Sequence, residues 1–222
     1  MGDPKREAGE RAAHLVQSGM VVGLGTGSTA AHAVEAIGRR IAAGSLKNIV
    51  GIPTSDRTRE LAERLGIPLT TLNDRPQIDL TIDGADEVDP SGDLIKGGGG
   101  ALLWEKIVAA ASRRYVIIVD SSKLVERLGE RFPLPVEVVP FGWRTHLDAI
   151  RTLGAEPVLR TERDGQPVLT DGGHVLLDCR FASGIENARL VERVLRARPG
   201  VVETGLFLGM QPQVIVGATE RA

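Results

Sequence analysis

Up to residue 120 the chain alternates short apolar runs with longer amphipathic segments, and this alternation restricts the fold more than any other feature. "PKREAGERAAHLVQSGM" (residues 4–20) places apolar side chains at helical spacing and predicts a helix ending near Gly19. "MVVGLG" then reads as a buried strand, "STAAHAVEAIGRRIAAG" as a helix and "NIVGIPT" as a strand. "SDRTRELAERLG" reads as a helix capped by Ser55 or Asp56, because a short polar side chain there accepts from an otherwise unused helical N–H. "IDLTID" is a strand, "ALLWEKIVAAASRR" a helix and "YVIIVD" a strand. Strands separated by crossover helices must run parallel, so the expected class is α/β with a Rossmann-like parallel-sheet core.

Beyond "SSKLVERLGERF" the texture changes. "PLPVEVVPFGW" is punctuated by proline, "HLDAIRTLG" is a short helix, and "EPVLRTERDGQPVLTDGGHVLLDCRF" looks like strands joined by Asp-Gly and Gly-Gly turns. "ENARLVERVLRARPG" is another amphipathic helix, and "GLFLGMQPQVIVGAT" supplies a final strand able to return to the first sheet. The expected organisation is a core of residues 1–130 plus 206–222, with a smaller α+β domain inserted at 131–205.

The 222 residues suffice for one large domain with an appendage, and a net charge of -2 gives no reason to expect nucleic acid as partner. No stretch approaches the roughly 20 apolar residues of a membrane helix, and "MGDPKREAGE" lacks the apolar core of a secretory signal. Arg6 stands where a myristoylation motif needs Ser or Thr. The single cysteine, Cys179, forms no internal disulfide and reads as a small buried residue. A cytoplasmic protein is expected.

"GLGTGST" (residues 23–29) stands where a strand gives way to a helix, a junction whose free N–H groups and dipole favour an anion. It departs from the dinucleotide fingerprint, with Ser28 at the third glycine, and from the phosphate-loop signature, with no Gly-Lys-Ser/Thr. A tight strand-to-helix turn is the alternative; the hydroxyls of Ser28 and Thr29 favour a phosphate. In "DGADEVD" Asp83 falls at the carboxyl end of a strand, where open α/β sheets bind ligands, and Asp86 lies three residues along a glycine-containing turn. Capping and turn formation compete with that reading, and Glu87 and Asp89 are assigned to it as solvated charges. "KGGGGALLWEK" joins Lys96 to four glycines that cost conformational entropy on folding and so need a use, such as close backbone approach to a ligand. Glu105 follows in the next helix; a surface pair with Lys106 is the plain alternative, although adjacent helical residues do not share a face. Lys123 follows the end of "YVIIVD" and adds positive charge at another strand terminus. The histidines (His14, His32, His146, His174) lack metal-ligand spacing, and no metal is inferred.

With "GLGTGSTAAH", "DGADEVD" followed by "KGGGGALLWEK", and "DSSKLVERLG" in that order and spacing, the chain resembles the A-type ribose-5-phosphate isomerase family. Weaker likeness continues through "FPLPVEVVP" and "PGVVETGLF". The resemblance implies interconversion of ribose 5-phosphate and ribulose 5-phosphate through an enediolate, with a small sugar phosphate as partner and neither metal nor organic cofactor. It implies Glu105 as general base, Asp83 and Asp86 on the sugar hydroxyls, and Lys96 beside the enediolate. Substrate contacts are implied at Thr26, Gly27, Ser28, Thr29, Asp83, Gly84, Ala85, Asp86, Lys96, Gly97, Gly98, Gly99 and Lys123, with Lys5 as a further candidate. A homo-oligomer, a dimer first, is implied as well. A sugar-phosphate sensor would keep the phosphate loop but dispense with Glu105 and Lys96. An amino-sugar phosphate deaminase or coenzyme A transferase is disfavoured by the joint pattern Asp83, Asp86, Lys96 and Glu105.

Overall fold

The computed structural model describes residues 3–218; residues 1–2 and 219–222, assigned above to the core, lie outside the described residues. In chain order the elements are α1 (Pro4–Ala13), β1 (Val21–Leu24), α2 (Ser28–Ala42), β2 (Val50–Pro53), α3 (Asp56–Arg64) and β3 (Leu80–Gly84). There follow β4 (Glu87–Val88), β5 (Leu94–Ile95), α4 (Leu102–Ala110), β6 (Tyr115–Asp120), β7 (Leu134–Val138), α5 (Leu147–Thr152) and β8 (Ala155–Leu159). The last are β9 (Val175–Phe181), α6 (Ala188–Arg196), β10 (Val201–Thr204), β11 (Leu206–Phe207) and β12 (Gln213–Gly217).

The described residues form two compact units. One comprises the chain up to Ala85, Trp104–Lys123 and the chain from Met210. Its centre is a five-stranded sheet in the order β12-β6-β3-β1-β2, parallel throughout, as the alternation predicts. α1 packs on α2 and on β6 and β12, burying Ala8, Val16, Val34, Ile37, Leu80 and Ile118 in one cluster. β12 realises the expected return to the first sheet, beside β6.

α1 ends at Ala13 rather than near Gly19. Arg40 of α2 explains the early stop: its Nη1 donates to the carbonyls of Ala13 at 2.5 Å and Val16 at 3.0 Å. Carbonyls at a helix end need such donors, and here they come from a residue more than twenty positions away. α3 begins as predicted, with Ser55 Oγ accepting from the Thr58 N–H.

The second unit comprises Asp86–Leu103 and Leu124–Gly209. It holds an antiparallel sheet, β10-β7-β9-β8, and a three-stranded sheet, β11-β5-β4. Val136, Leu177, Cys179, Val191 and Leu195 share its core. Cys179 is buried in β9, where burial raises its thiol pKa above the ordinary value, with the Asp178 charge adding to the effect. The proline-punctuated stretch forms β7, inside the sheet, and "GLFLG" forms β11 beside β5, separate from β12.

Candidate active site

In the first unit the turn from β1 to α2 is fastened to the end of β3. Gly25 donates its N–H to the Ile82 carbonyl at 2.9 Å. A Cβ on Gly25 would sit 2.5 Å from the Asp83 Cα, so only glycine lets the two strand ends lie this close. Asp83 is buried, and its Oδ1 accepts from the N–H groups of Thr26 at 3.0 Å and Gly84 at 2.7 Å. Backbone N–H groups thus orient a carboxylate at the carboxyl end of a parallel strand. Ala85, half-buried, continues the turn.

The Thr26 hydroxyl lies in a buried cluster of side-chain hydroxyls. Thr26 Oγ1 lies 2.7 Å from Thr54 Oγ1, 2.8 Å from Ser55 Oγ and 3.1 Å from Thr58 Oγ1. Thr58 Oγ1 in turn donates to the Gly25 carbonyl at 3.0 Å. This buried hydroxyl cluster braces the turn, and Thr26 fixes the shape of the site through it. The sequence does not single out Thr54, Ser55 and Thr58 in this role; the available signal is that Thr54 and Ser55 directly follow β2, the strand beside β1, with Thr58 in the first turn of α3.

Ser28 and Thr29 open α2. Gly27 precedes them with φ of 108°, a conformation that favours glycine, and no side chain caps the helix. Ser28 is exposed, and Lys5 Nζ approaches its Oγ at 3.3 Å. Lys123 closes the short turn Ser121–Lys123 after β6. Both lysines act on Asp120: burial works to raise that carboxyl pKa, but hydrogen bonds from Ser122 and the charges of Lys5 and Lys123 outweigh it and hold it below the ordinary value. Two cations and an uncapped helix N-terminus therefore share one neighbourhood, an arrangement suited to a phosphate.

Glu105 lies in the first turn of α4 and is only 5% exposed, and Lys106 is 7% exposed. The alternative of a surface pair is thereby overturned: both side chains are withdrawn from water. A cavity of about 650 Å³ lined by Pro53, Ser55, Leu72, Trp104 and Ile107 adjoins the same helix, and none of the predicted site residues lines it.

In the second unit Asp86 Oδ2 accepts from the Gly98 N–H at 2.7 Å, tying the acidic turn to the glycine run. Gly97 and Gly100 have φ of 106° and 81°, and a Cβ on Gly98 would meet Asp86 Oδ1 at 2.6 Å. Gly97 and Gly100 are thus favoured as glycine by backbone conformation, and Gly98 lies close against the Asp86 carboxylate; Gly98 and Gly99 are exposed. Lys96 is 2% exposed, with its ammonium 5.6 Å from the Phe207 ring centroid.

Glu87 corrects the expectation of a solvated charge. It is 1% exposed and accepts from the N–H groups of Gly129 at 2.5 Å, Arg131 at 2.7 Å and Phe132 at 2.7 Å. Asp89 does form the expected turn, its Oδ1 accepting from Ser91 and Asp93. Among the described residues no group of three His, Cys, Asp or Glu side chains is arranged to hold a metal ion. Among the same residues no helix is long and apolar enough to cross a membrane.

The family described as Ribose 5-phosphate isomerase A (phosphoriboisomerase A) matches residues 50–221 of the chain. The chain is similar to the ribose-5-phosphate isomerase A of a Synechococcus strain, 52% identical over 217 residues, which covers 97% of this chain and 94% of the relative. It is 58% identical to that of Gloeobacter violaceus over 214 residues, covering 96% of this chain and 91% of the relative. A solved D-ribose-5-phosphate isomerase in complex with phospho-erythronic acid superposes with a TM-score of 0.93 at 38% identity, covering 96% of this chain and 93% of its own.

Proposed function

The chain belongs to the ribose 5-phosphate isomerase A family, which makes it an isomerase interconverting ribose 5-phosphate and ribulose 5-phosphate in the pentose phosphate pathway, and we propose that it works through an enediolate with Glu105 as base. The match of the family over residues 50–221 carries the activity. The residue roles follow from the resemblance and from what each side chain can do.

In this reading Glu105 takes the proton from C2 of the opened aldose, the electrons of that C–H bond form the C1–C2 double bond, and the same carboxyl returns the proton to C1. Glu105's burial supports the role, because a carboxylate withdrawn from bulk water keeps the transferred proton from leaking to solvent between C2 and C1. Asp83, fixed by two backbone N–H groups, assists ring opening and moves the proton between O1 and O2. Asp86 addresses the sugar hydroxyls and Lys96 the charge that develops on the enediolate; losing such a preorganised donor costs roughly 3 to 4 kcal/mol. Ser28, Thr29, Lys5 and Lys123 hold the phosphate, supported by the approach of Lys5 to Ser28 and by the shared effect of both lysines on Asp120. The phosphate anchor turns remote binding energy into orientation of C1 and C2.

A phosphorylated erythronic acid carries a planar carboxylate close in shape and charge to an enediolate, so the solved complex with that compound supports the same class of substrate here. A dimeric assembly and a cytoplasmic location belong to the proposal on the strength of the family resemblance. The deciding assay incubates purified protein with ribose 5-phosphate in the presence of a metal chelator and measures ketopentose. Conversion is expected; no ketopentose at micromolar enzyme would leave a sugar-phosphate sensor in its place.

A further inference from the structure

We propose that Arg160, held by Asp178, is a positioning residue for the isomerisation: it fixes the carbonyls of the glycine run and thereby the Gly98 N–H that orients Asp86. The proposal rests on the reading of Asp86 as a contact to the sugar hydroxyls.

Arg160 directly follows β8 and is pinned at both backbone atoms, its N–H donating to Leu176 at 2.8 Å and its carbonyl accepting from Val168 at 3.0 Å. Val158 faces Asp178 across the β8–β9 pair, so Arg160 stands diagonal to Asp178 on one face of the sheet. The guanidinium meets that carboxylate at two points, Nε to Oδ2 at 2.9 Å and Nη2 to Oδ1 at 2.5 Å. The side chains are 15% and 25% exposed, so water screens the pair far less than a surface pair. Nη1 then donates to the carbonyls of Gly97 at 2.9 Å and Gly98 at 3.2 Å.

From the other side the Gly98 N–H donates to Asp86 Oδ2 at 2.7 Å. One peptide segment is therefore gripped by its carbonyls and, through its amide, grips the carboxylate. A run of glycines would otherwise sample many conformations, and a loose Gly98 would leave Asp86 without a fixed orientation. Lysine cannot replace arginine here: its compact ammonium lacks the planar fork that serves a carboxylate and two carbonyls together.

A purely structural cross-link would make the same contacts, so the test has to separate the two roles. Arg160→Lys and Asp86→Ala are made singly and together, and kcat/KM for ribose 5-phosphate is measured in all four proteins. Hydrogen exchange of the segment 96–103 is followed alongside. Arg160→Lys alone is expected to lower kcat/KM roughly 10- to 100-fold, yet by no more than about threefold in the Asp86→Ala background, because the group it positions is gone. Exchange in the segment should quicken. An equal factor in both backgrounds, or kcat/KM for Arg160→Lys within about twofold of wild type, overturns the proposal. Asp178→Asn, close in volume, carries the same cycle where Arg160→Lys does not fold. A wild-type protein inactive on ribose 5-phosphate would instead overturn the isomerase reading, so the two failures are distinct.

Discussion

Glu105 and Glu87 are both buried glutamates, and the contrast between them sets the carboxylate we propose for chemistry beside one that serves architecture. Glu105 sits on a short helix just after the glycine run, and its position in that pattern marks it in the sequence alone. We expect Glu105→Gln to lower kcat by about 10²-fold or more with KM little changed, since the amide keeps the shape and loses the basicity. Steady-state kinetics check this, and near wild-type turnover would remove Glu105 as the base. Glu87 behaves in the opposite way. Its three N–H donors lie at Gly129, Arg131 and Phe132, more than forty residues along the chain. No local pattern announces such a partner, so in the sequence Glu87 looks like another turn acid. Glu87→Ala would leave three N–H groups without their acceptor and should destabilise the protein by about 3 kcal/mol or more. Urea unfolding measures that loss; a change below about 1 kcal/mol would mean that water satisfies those donors.

At the scale of elements, periodicity located the parallel strands and their crossover helices, because each buries a face whose spacing is set by local geometry. Long-range capping is what periodicity misses. α1 continues as a pattern toward Gly19 but stops at Ala13, whose carbonyl is taken by Arg40. The inward turn of the Thr26 hydroxyl is equally invisible locally, since its partners stand on the junction of β2 and α3. The turn leading into α5 contains a comparable device. His146 is 2% exposed, and Arg198 Nε donates to its Nδ1 at 3.3 Å, which requires a neutral acceptor nitrogen. Burial, reinforced by the Arg198 charge, lowers its pKa from the ordinary value. The unfolded chain therefore takes up this proton first as pH falls below about 6.5, and stability contributed by the neutral ring is lost through that window. Thermal melts between about pH 7.5 and 5.5 should show a steeper decline for wild type than for His146→Leu. Parallel declines would show that His146 does not titrate between the two states.

For the whole molecule, the described chain passes between its two units at 85/86, 103/104, 123/124 and 209/210, so neither is contiguous. A change of sequence texture near residue 131 suggests one insertion, whereas Asp86–Leu103 also sorts with the second unit. Composition cannot reveal this, because β5 finds its partner β11 more than a hundred residues later. The consequence is physical. A fragment of residues 124–209 lacks β4 and β5, leaving β11 an unpaired edge with buried Leu206 and Phe207 uncovered. It also lacks Glu87, the acceptor for three N–H groups at 129–132. Backbone donors without partners and uncovered apolar strands each oppose folding. We therefore expect this fragment to show poorly dispersed amide resonances and no cooperative melt. Adding a peptide of residues 86–103 should restore part of both, since it supplies the missing strands and the carboxylate together. A fragment that melts cooperatively by itself would show that the antiparallel sheet and its helices hold the unit without the segment that carries Asp86 and Lys96.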